Sequence, residues 1–390
     1  MGTALAGFKA QAVIEWDRWA CDTIKENKVR GFPLVMDWPL HRGDVRDFDY
    51  RTLPEGIDLV SGGPPCQPFS IGGKHAGYKD SRDMFSAMAA IVRQLKPRAF
   101  IVENVRGLTR PKFANYFQYI LDQFAMPDIA PRDGEKWHDH LARLEREKTS
   151  GRDQGLKYEV NARLLNAADY GAPQKRERVF IVGFRSDQPV EWSFPDPTHS
   201  QDMLLREQWI TGDYWDRHRI SRTLRGEMPH SVAGQVDRRR KSNSVAASGR
   251  LAWRSVRDAL VDLPKPRKDG KAVDGFLNHR FQPGARVYKG HTGCPLDQPA
   301  KTLKAGDHGV PGGENMMVLP SGEVRYFTVR EAARLQTFAD GYTFHGAWSE
   351  TMRQLGNAVP VVLAQRVASS VAVKLLEAEQ RQLIGRRGAA

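Results

Sequence analysis

Ile57-Asp-Leu-Val-Ser-Gly-Gly-Pro-Pro-Cys-Gln-Pro-Phe-Ser70 reads as a buried strand that runs directly into a stiff loop. Its opening apolar run suits a strand covered on both faces of a parallel sheet, where strict alternation is lost. Gly62 and Gly63 then allow the backbone to approach a ligand closely. Pro64, Pro65 and Pro68 fix φ around Cys66 and remove backbone donors. In open α/β sheets ligands bind beyond the carboxyl ends of the strands, which is where this loop stands. A cysteine held rigidly there can attack an electrophilic carbon once it is ionised. The ordinary fate of a lone cysteine is a small buried thiol, however, and the loop alone names no reaction.

The same pattern recurs on either side. Ala12-Val-Ile-Glu15, Ala99-Phe-Ile-Val-Glu103 and Arg178-Val-Phe-Ile-Val-Gly183 are further short apolar runs, separated by helix-like segments at Arg18–Asn27 and Met84–Leu95. Lys96-Pro97 ends the second helix. The alternation predicts an α/β fold with a doubly wound, mostly parallel sheet. Its strand ends would bring Glu15-Trp16, the Cys66 loop and Glu103-Asn104 to one edge. Arg176 and Arg178, two apart on a predicted strand, would face the same way. A polar stretch from about Asp128 to Gly155 reads as a surface insertion carrying a helix over Trp137–Lys148.

Beyond about Pro189 the periodicity fades, and Pro, Gly, Trp, His and Arg increase as far as about Pro320. Regular pattern then returns. Thr328-Val-Arg-Glu331 has the form of a capping box. A longer helix is expected after Pro360, with Val361, Ala364, Val367, Ala368 and Val371 on one side. The expected organisation is a first domain over 1–188, a smaller loop-rich domain over 189–320, and a segment over 321–390 that returns to the first.

Composition narrows the class of function. The 390 residues are 40% hydrophobic and 27% charged, the balance of a globular protein. No apolar run approaches the ~18 residues of a membrane span and no signal peptide opens the chain, so the cytoplasm is the expected location, without a membrane partner. Three cysteines, Cys21, Cys66 and Cys294, lie too far apart to suggest a disulfide framework or a metal site. The formal net charge is +13, which points to a polyanionic partner. Residues 201–290 carry 19 Lys and Arg against 10 Asp and Glu, so most of the excess sits in the loop-rich region.

The Cys66 loop resembles the Pro-Cys-Gln nucleophile motif of the cytosine-C5 DNA methyltransferases. Further motifs of that family follow in order: Gly72-Gly-Lys-His-Ala-Gly-Tyr-Lys-Asp-Ser-Arg82, Glu103-Asn-Val105, Asn166-Ala-Ala-Asp-Tyr-Gly-Ala-Pro-Gln-Lys-Arg-Glu-Arg178, Thr328-Val-Arg-Glu-Ala-Ala-Arg-Leu-Gln336 and Gly356-Asn-Ala-Val-Pro360. One short match would be weak, but an ordered set spanning most of the chain is specific.

The resemblance implies a Rossmann-like methyltransferase fold that uses S-adenosylmethionine as methyl donor, without a metal. It implies that Cys66 adds to C6 of cytosine, and that Glu103 supplies a hydrogen bond or proton to N3 from a closed pocket. Arg178 would contact the cytosine carbonyl oxygen, with Arg176 in support. Glu15 resembles the ribose-binding acid, Trp16 the residue stacked on adenine, and Asp44 the acid facing the adenine amino group, with Asp47 and Asp49 close by as competitors. Asn357 and Ala358 would line the same pocket. A duplex cytosine must be flipped out to reach such a site, so residues 189–320 are expected to act as a target-recognition domain on duplex DNA. The chain is expected to be a monomer, acting either as a solitary modifier or beside a separate cognate restriction endonuclease.

One departure stands out. The family's Phe-x-Gly-x-Gly donor loop is absent, and Gly2-Thr-Ala-Leu-Ala-Gly-Phe8 reads like the helix that follows it. The expectation is a sheet lacking its first strand, through a start assigned too far downstream or a truncation. Two other readings remain open at this point: the tRNA-directed branch of the same fold, and a DNA-binding protein whose catalysis is impaired.

Overall fold

The computed structural model describes residues 1–65, 84–151, 155–240, 249–288, 292–305 and 315–388. Cys66 and the second motif, 72–82, lie outside the described residues.

Six strands build the main α/β body: β1 (Val13–Glu15), β2 (Leu40–Arg42), β3 (Leu59–Gly62), β4 (Ala99–Val105), β5 (Tyr158–Asn166) and β6 (Glu177–Arg185). Helices α1 (Gly2–Leu5), α2 (Arg18–Val29), α3 (Phe85–Leu95), α4 (Ala114–Ala125) and α5 (Trp137–Ser150) lie between them. The Asp17 side chain caps α2 by accepting from the Ala20 N–H at 2.9 Å. Lys96 closes α3 in the left-handed conformation (φ 46°), just ahead of Pro97.

The sheet is mixed. β1 pairs with β2, and β3 with β4, both in parallel. β6 runs antiparallel to β4 and β5, giving the order β3-β4-β6-β5. The parallel expectation thus applies to the first half, and the reason for the inversion is chain length. Only residues 167–176 join β5 to β6, too few for the helical crossover that a parallel pair requires.

Both faces of this sheet are covered. On one, Phe100, Val102 and Ile181 pack against Phe85, Met88 and Val92 of α3 and Tyr116, Ile120 and Phe124 of α4. Leu144 of α5 joins the same cluster, so the insertion helix is docked on the body. A Cβ on Gly183 would sit 2.3 Å from the Phe100 ring, so only glycine lets that ring lie flat on β6.

The other face takes the C-terminal helix. Leu363, Val367, Ala368 and Val371 pack against Ala99, Ile101, Phe180 and Val182.

Between these units lie α6 (Gln201–Arg206), α7 (Asp213–Arg217), α8 (His230–Arg240) and α9 (Val256–Leu260), with the short strands β7 (His199–Ser200) and β8 (Leu251–Ala252). β9 (Cys294–Pro295), β10 (Met316–Val318) and β11 (Val324–Tyr326) form a small three-stranded sheet. The chain ends in α10 (Val329–Leu335), α11 (Trp348–Asn357) and α12 (Val361–Gly388). The capping box of α10 is present, with Thr328 and Glu331 each bonded to the other's backbone N–H. Among the described residues one helical stretch, 348–384, is long and apolar enough to cross a membrane, and the inner side of α12 within it forms the sheet core just described.

Candidate active site

The described chain stops one residue short of Cys66, and its approach is tightly held. The Asn104 side-chain amide donates to the Pro64 carbonyl at 2.9 Å. Asn104 is 4% exposed, and its own oxygen accepts from the Val105 N–H. A Cβ on Gly63 would lie 3.1 Å from Oε2 of Glu103. The glycine therefore lets the loop entering Cys66 pass directly over the Glu103 carboxylate. Asn104 was quoted from the sequence only as part of a motif, yet it is the residue that pins this loop.

Glu103 and Arg178 form an ion pair, Nε to Oε1 at 2.8 Å, with both side chains largely buried. Register explains the meeting. Glu103 stands opposite Phe180 and Val105 opposite Arg178, so Glu103 and Arg178 are diagonal neighbours on one sheet face. Burial raises the proton affinity of Glu103; Arg178 and, more weakly, Arg176 oppose this without cancelling it. Burial likewise lowers Arg178, while the carboxylate beside it favours the charged form.

Arg176 departs from the expected arrangement. It precedes β6 instead of lying in it, because Gln174 bridges to Ala300 and the Lys175 N–H donates to the Ala300 carbonyl. Its fully buried guanidinium donates to the Leu303 carbonyl at 2.9 Å and the Gly356 carbonyl at 2.6 Å. Its Nε has no acceptor among the described residues. Arg176 thus ties the start of β6 to the 292–305 segment and to the end of α11. Two buried glutamines follow the same seam: Gln174 accepts from the Leu303 N–H, and Gln336 donates to the Leu355 carbonyl. Neither glutamine was singled out from the sequence.

A cavity of about 1440 Å³ lies beside the Cys66 approach. Glu15, Trp16, Asp44 and Asn357 all line it, together with 59–65 and Met88. Glu15 ends β1; its carboxylate accepts from the Asp17 N–H at 2.7 Å, and burial raises its proton affinity. Trp16 is 71% exposed, so its indole is open toward the cavity that it lines. Asp44 follows β2 and is held by Arg46, which brings its carboxyl down to about 2. Neither Asp47 nor Asp49 lines the cavity, and Asp49 is engaged by Arg51. Ala358 is not among the lining residues; its N–H caps α11 on the Gln354 carbonyl.

These donors and acceptors fit an adenosine-bearing ligand. Two carboxylates suit hydroxyl and amino donors, and an exposed indole suits a flat base. At Gly62 a Cβ would lie 3.3 Å from the Met88 sulfur, so the wall there has no room for a side chain. The volume exceeds the usual ~300–1,000 Å³ of a small-molecule site, and its lining includes the ends of β1 and β3.

The family model for C-5 cytosine-specific DNA methylases matches residues 1–127 and 138–372. Besides 373–390, the unmatched residues are 128–137, in the polar insertion up to the first residue of α5. The chain is 29% identical over 388 residues to the Type II methyltransferase M.NgoMIV of Neisseria gonorrhoeae, covering 97% of this chain and 95% of that one. It is also 29% identical over 386 residues to M.Eco47II of Escherichia coli, covering 97% and 76%. Among solved structures, a prophage-encoded E. coli protein described as a DNA modification methyltransferase aligns with a TM-score of 0.55 at 21% identity, over 96% of this chain and 95% of that one, a likeness of fold. With the model spanning nearly the whole sequence, the chain belongs to the C-5 cytosine-specific DNA methylase family, enzymes that use S-adenosylmethionine to methylate cytosine in DNA.

Proposed function

We propose that Cys66 is the nucleophile of this methylation, acting on a cytosine flipped out of duplex DNA. The thiolate adds to C6, forming an S–C bond and moving the ring electrons toward C5 and N3. Glu103, with its raised proton affinity, donates to N3 and neutralises the charge that would otherwise build there. Arg178 keeps Glu103 oriented and presents its guanidinium to the ring carbonyl oxygen. S-adenosylmethionine, when bound, supplies the electrophilic methyl group that C5 takes. The ring is restored when the C5 proton leaves to a base, the S–C6 bond breaks to return the thiolate, and the N3 proton goes back to Glu103. Arg176 acts as a positioning residue.

Glu15, Trp16, Asp44 and Asn357 hold the donor in the cavity, with Ala358 shaping the turn beside Asn357. Residues 189–320 form the target-recognition domain, between the catalytic domain 1–188 and the returning segment 321–390. Duplex DNA as partner is supported by the Type II methyltransferase relatives and by the basic excess of that region. A separate cognate endonuclease is proposed on the same relatives.

The observation that carries this reading is the Glu103–Arg178 pair lying under the Gly63-Pro64 turn that leads into Cys66. Duplex DNA containing 5-fluorocytosine tests it, because fluorine cannot leave C5 as a cation and the adduct cannot break down. With labelled donor, the intact protein is expected to form a denaturation-resistant protein–DNA adduct that Cys66→Ser does not form. An adduct that survives the substitution would remove Cys66 from the mechanism. Equal labelling of tRNA and duplex DNA would redirect the substrate assignment.

A further inference from the structure

In the loop between α10 and α11, every backbone N–H and C=O of Thr343, Phe344 and His345 bonds to a side chain from elsewhere in the chain. Asn27 of α2 takes both groups of Thr343, accepting from its N–H at 2.9 Å and donating to its carbonyl at 2.8 Å. Asn278 does the same at Phe344, at 2.7 and 2.9 Å, and also accepts from the Thr343 hydroxyl at 3.0 Å. At His345, Thr23 of α2 accepts from the N–H and Gln354 of α11 donates to the carbonyl. Thr23 in turn donates to the Gln354 side chain at 2.7 Å. Thr343 and Phe344 are buried, where backbone groups need such partners, so these side chains set the course of the loop.

Of these four side chains, Asn278 alone comes from the loop-rich region. Its backbone is left-handed, with φ 58°, a conformation that Asn tolerates better than most residues. Its neighbours are fixed on α10: Arg330 donates to the Leu277 carbonyl at 2.9 Å, and His279 bonds the Thr328 hydroxyl at 2.9 Å. Arg330 also holds the carbonyls of Ala339 and Tyr342, so the loop stays attached to α10 whatever stands at 278. What Asn278 adds is the register of Phe344, beside the residue that Asn27 grips. The two helices that meet this loop carry the donor pocket at their ends. The Asp17 N–H, at the start of α2, bonds the Glu15 carboxylate, and the Asp17 side chain pairs with Arg353 of α11 at 3.2 Å. α11 ends at Asn357, which lines the cavity. The placement of Glu15 and Trp16 against Asn357 therefore depends on how both helices sit on the shared loop.

We propose that Asn278 is a positioning residue for S-adenosylmethionine: through Phe344 it registers α2 against α11. The loop-rich region thereby shapes a donor site to which, among the described residues, it contributes no lining side chain. The inference rests on the donor site proposed above. Without the Asn278 clamp, donor binding must itself bring the two helix ends into register, and that ordering is taken out of the affinity.

Calorimetric titration of the full chain with S-adenosylmethionine tests the proposal in two variants. Asn278→Gly removes the side chain at a backbone conformation that glycine accepts. Asn278→Asp is nearly isosteric and keeps the packing, but sets a carboxylate oxygen against the Phe344 carbonyl. Each is expected to weaken donor binding about five- to tenfold, the scale of one lost hydrogen bond. Affinity for mixed-sequence duplex DNA, which phosphate contacts dominate, is expected to stay within about twofold. Trp16→Ala is the reference for the donor site. Weaker donor binding in Trp16→Ala with unchanged binding in both Asn278 variants overturns the inference and leaves the site assignment standing. Unchanged binding in Trp16→Ala overturns the site assignment and the inference with it. Equal weakening of donor and DNA in the Asn278 variants also overturns the inference, because it marks a general loosening of the fold.

Discussion

Glu103 occupies a position where opposing influences leave a clear sign. Desolvation raises its proton affinity, and the Arg178 ion pair opposes it incompletely. The protonated form is therefore more available in the folded protein than for a free carboxyl, and it is depleted as pH rises. kcat/KM is expected to fall on the alkaline side of that raised value, where the acid that serves N3 has been lost. Glu103→Gln keeps a donor in place but cannot release a proton. It should lower kcat by about 10²–10⁴-fold and flatten that alkaline limb. A variant that retains the limb would assign it to another group. Arg176 invites a different measurement, because its guanidinium bonds two backbone carbonyls. Arg176→Ala strands the carbonyls of Leu303 and Gly356, and charge-assisted bonds of this kind contribute about 1.5–3 kcal/mol each. Unfolding should show a loss on that scale, together with a raised KM for the donor, since Gly356 precedes the cavity-lining Asn357. An unchanged donor KM would confine Arg176 to stability. Glu15, Trp16, Asp44, Glu103 and Arg178 were legible in the sequence because each lies at or beside a strand end, where chain order fixes direction. The course of Arg176 was not, because its acceptors come from 127 and 180 residues away.

At the level of elements, legibility followed apolar patterning. β4 and β6 announce themselves as apolar runs that are buried, β3 as one that is only half-buried because it borders the cavity, and the inner side of α12 as a helical stripe. β2 (Leu-His-Arg) and β5 (Tyr-Glu-Val-Asn-Ala-Arg-Leu-Leu-Asn) are edge strands of their sheets with largely exposed side chains, and carry no such signal. The inserted helix was legible because Trp137, His140 and Leu144 recur at helical spacing; it runs two residues beyond the expected end, to Ser150. His140 makes that helix sensitive to acid. Its Nδ1 meets the Tyr119 hydroxyl at 3.0 Å and its Nε2 the Ile129 carbonyl at 2.7 Å. Burial lowers its pKa below the ordinary 6.5. The unfolded chain therefore takes up a proton at His140 before the folded chain does. The stability it contributes is complete above about 6.5 and is lost as pH falls from there through the lower folded value. Chemical denaturation of His140→Gln at a series of pH values should show a shallower decline across that window than the intact chain. Parallel curves would mean that His140 titrates alike in both states.

For the whole molecule, the central feature is a sheet in two parts. β1 pairs with β2, and β3 with β4, β6 and β5, while β1 and β3 both border the same large cavity. Among the described residues each presents an unpaired edge of three or four residues, and both pairs are parallel. A further parallel strand laid between them would hydrogen-bond on both sides and join the parts into one sheet. Beyond β1, the strand end that carries Glu15 is tied to the rest of the body through α2, by packing and by bonds such as Asp17–Arg353 (3.2 Å) and Thr23–Gln354 (2.7 Å). The sequence resemblance expects a strand and a Phe-x-Gly-x-Gly turn at this place, and composition could not have revealed the slot, because an open edge leaves no mark in the residues that border it. A variant in which a parallel strand and a glycine-rich turn are joined to this slot is expected to bind S-adenosylmethionine at least about tenfold more tightly than the chain without them, a gain of ~1.4 kcal/mol. Its thermal midpoint should rise in the absence of ligand as well, because two ladders of backbone hydrogen bonds form in the folded state. Calorimetric titration of both forms with the donor separates the possibilities. Equal affinity with a raised midpoint would make the slot a matter of stability alone, and equal values of both would show that the two-part sheet already holds the donor site in its working geometry.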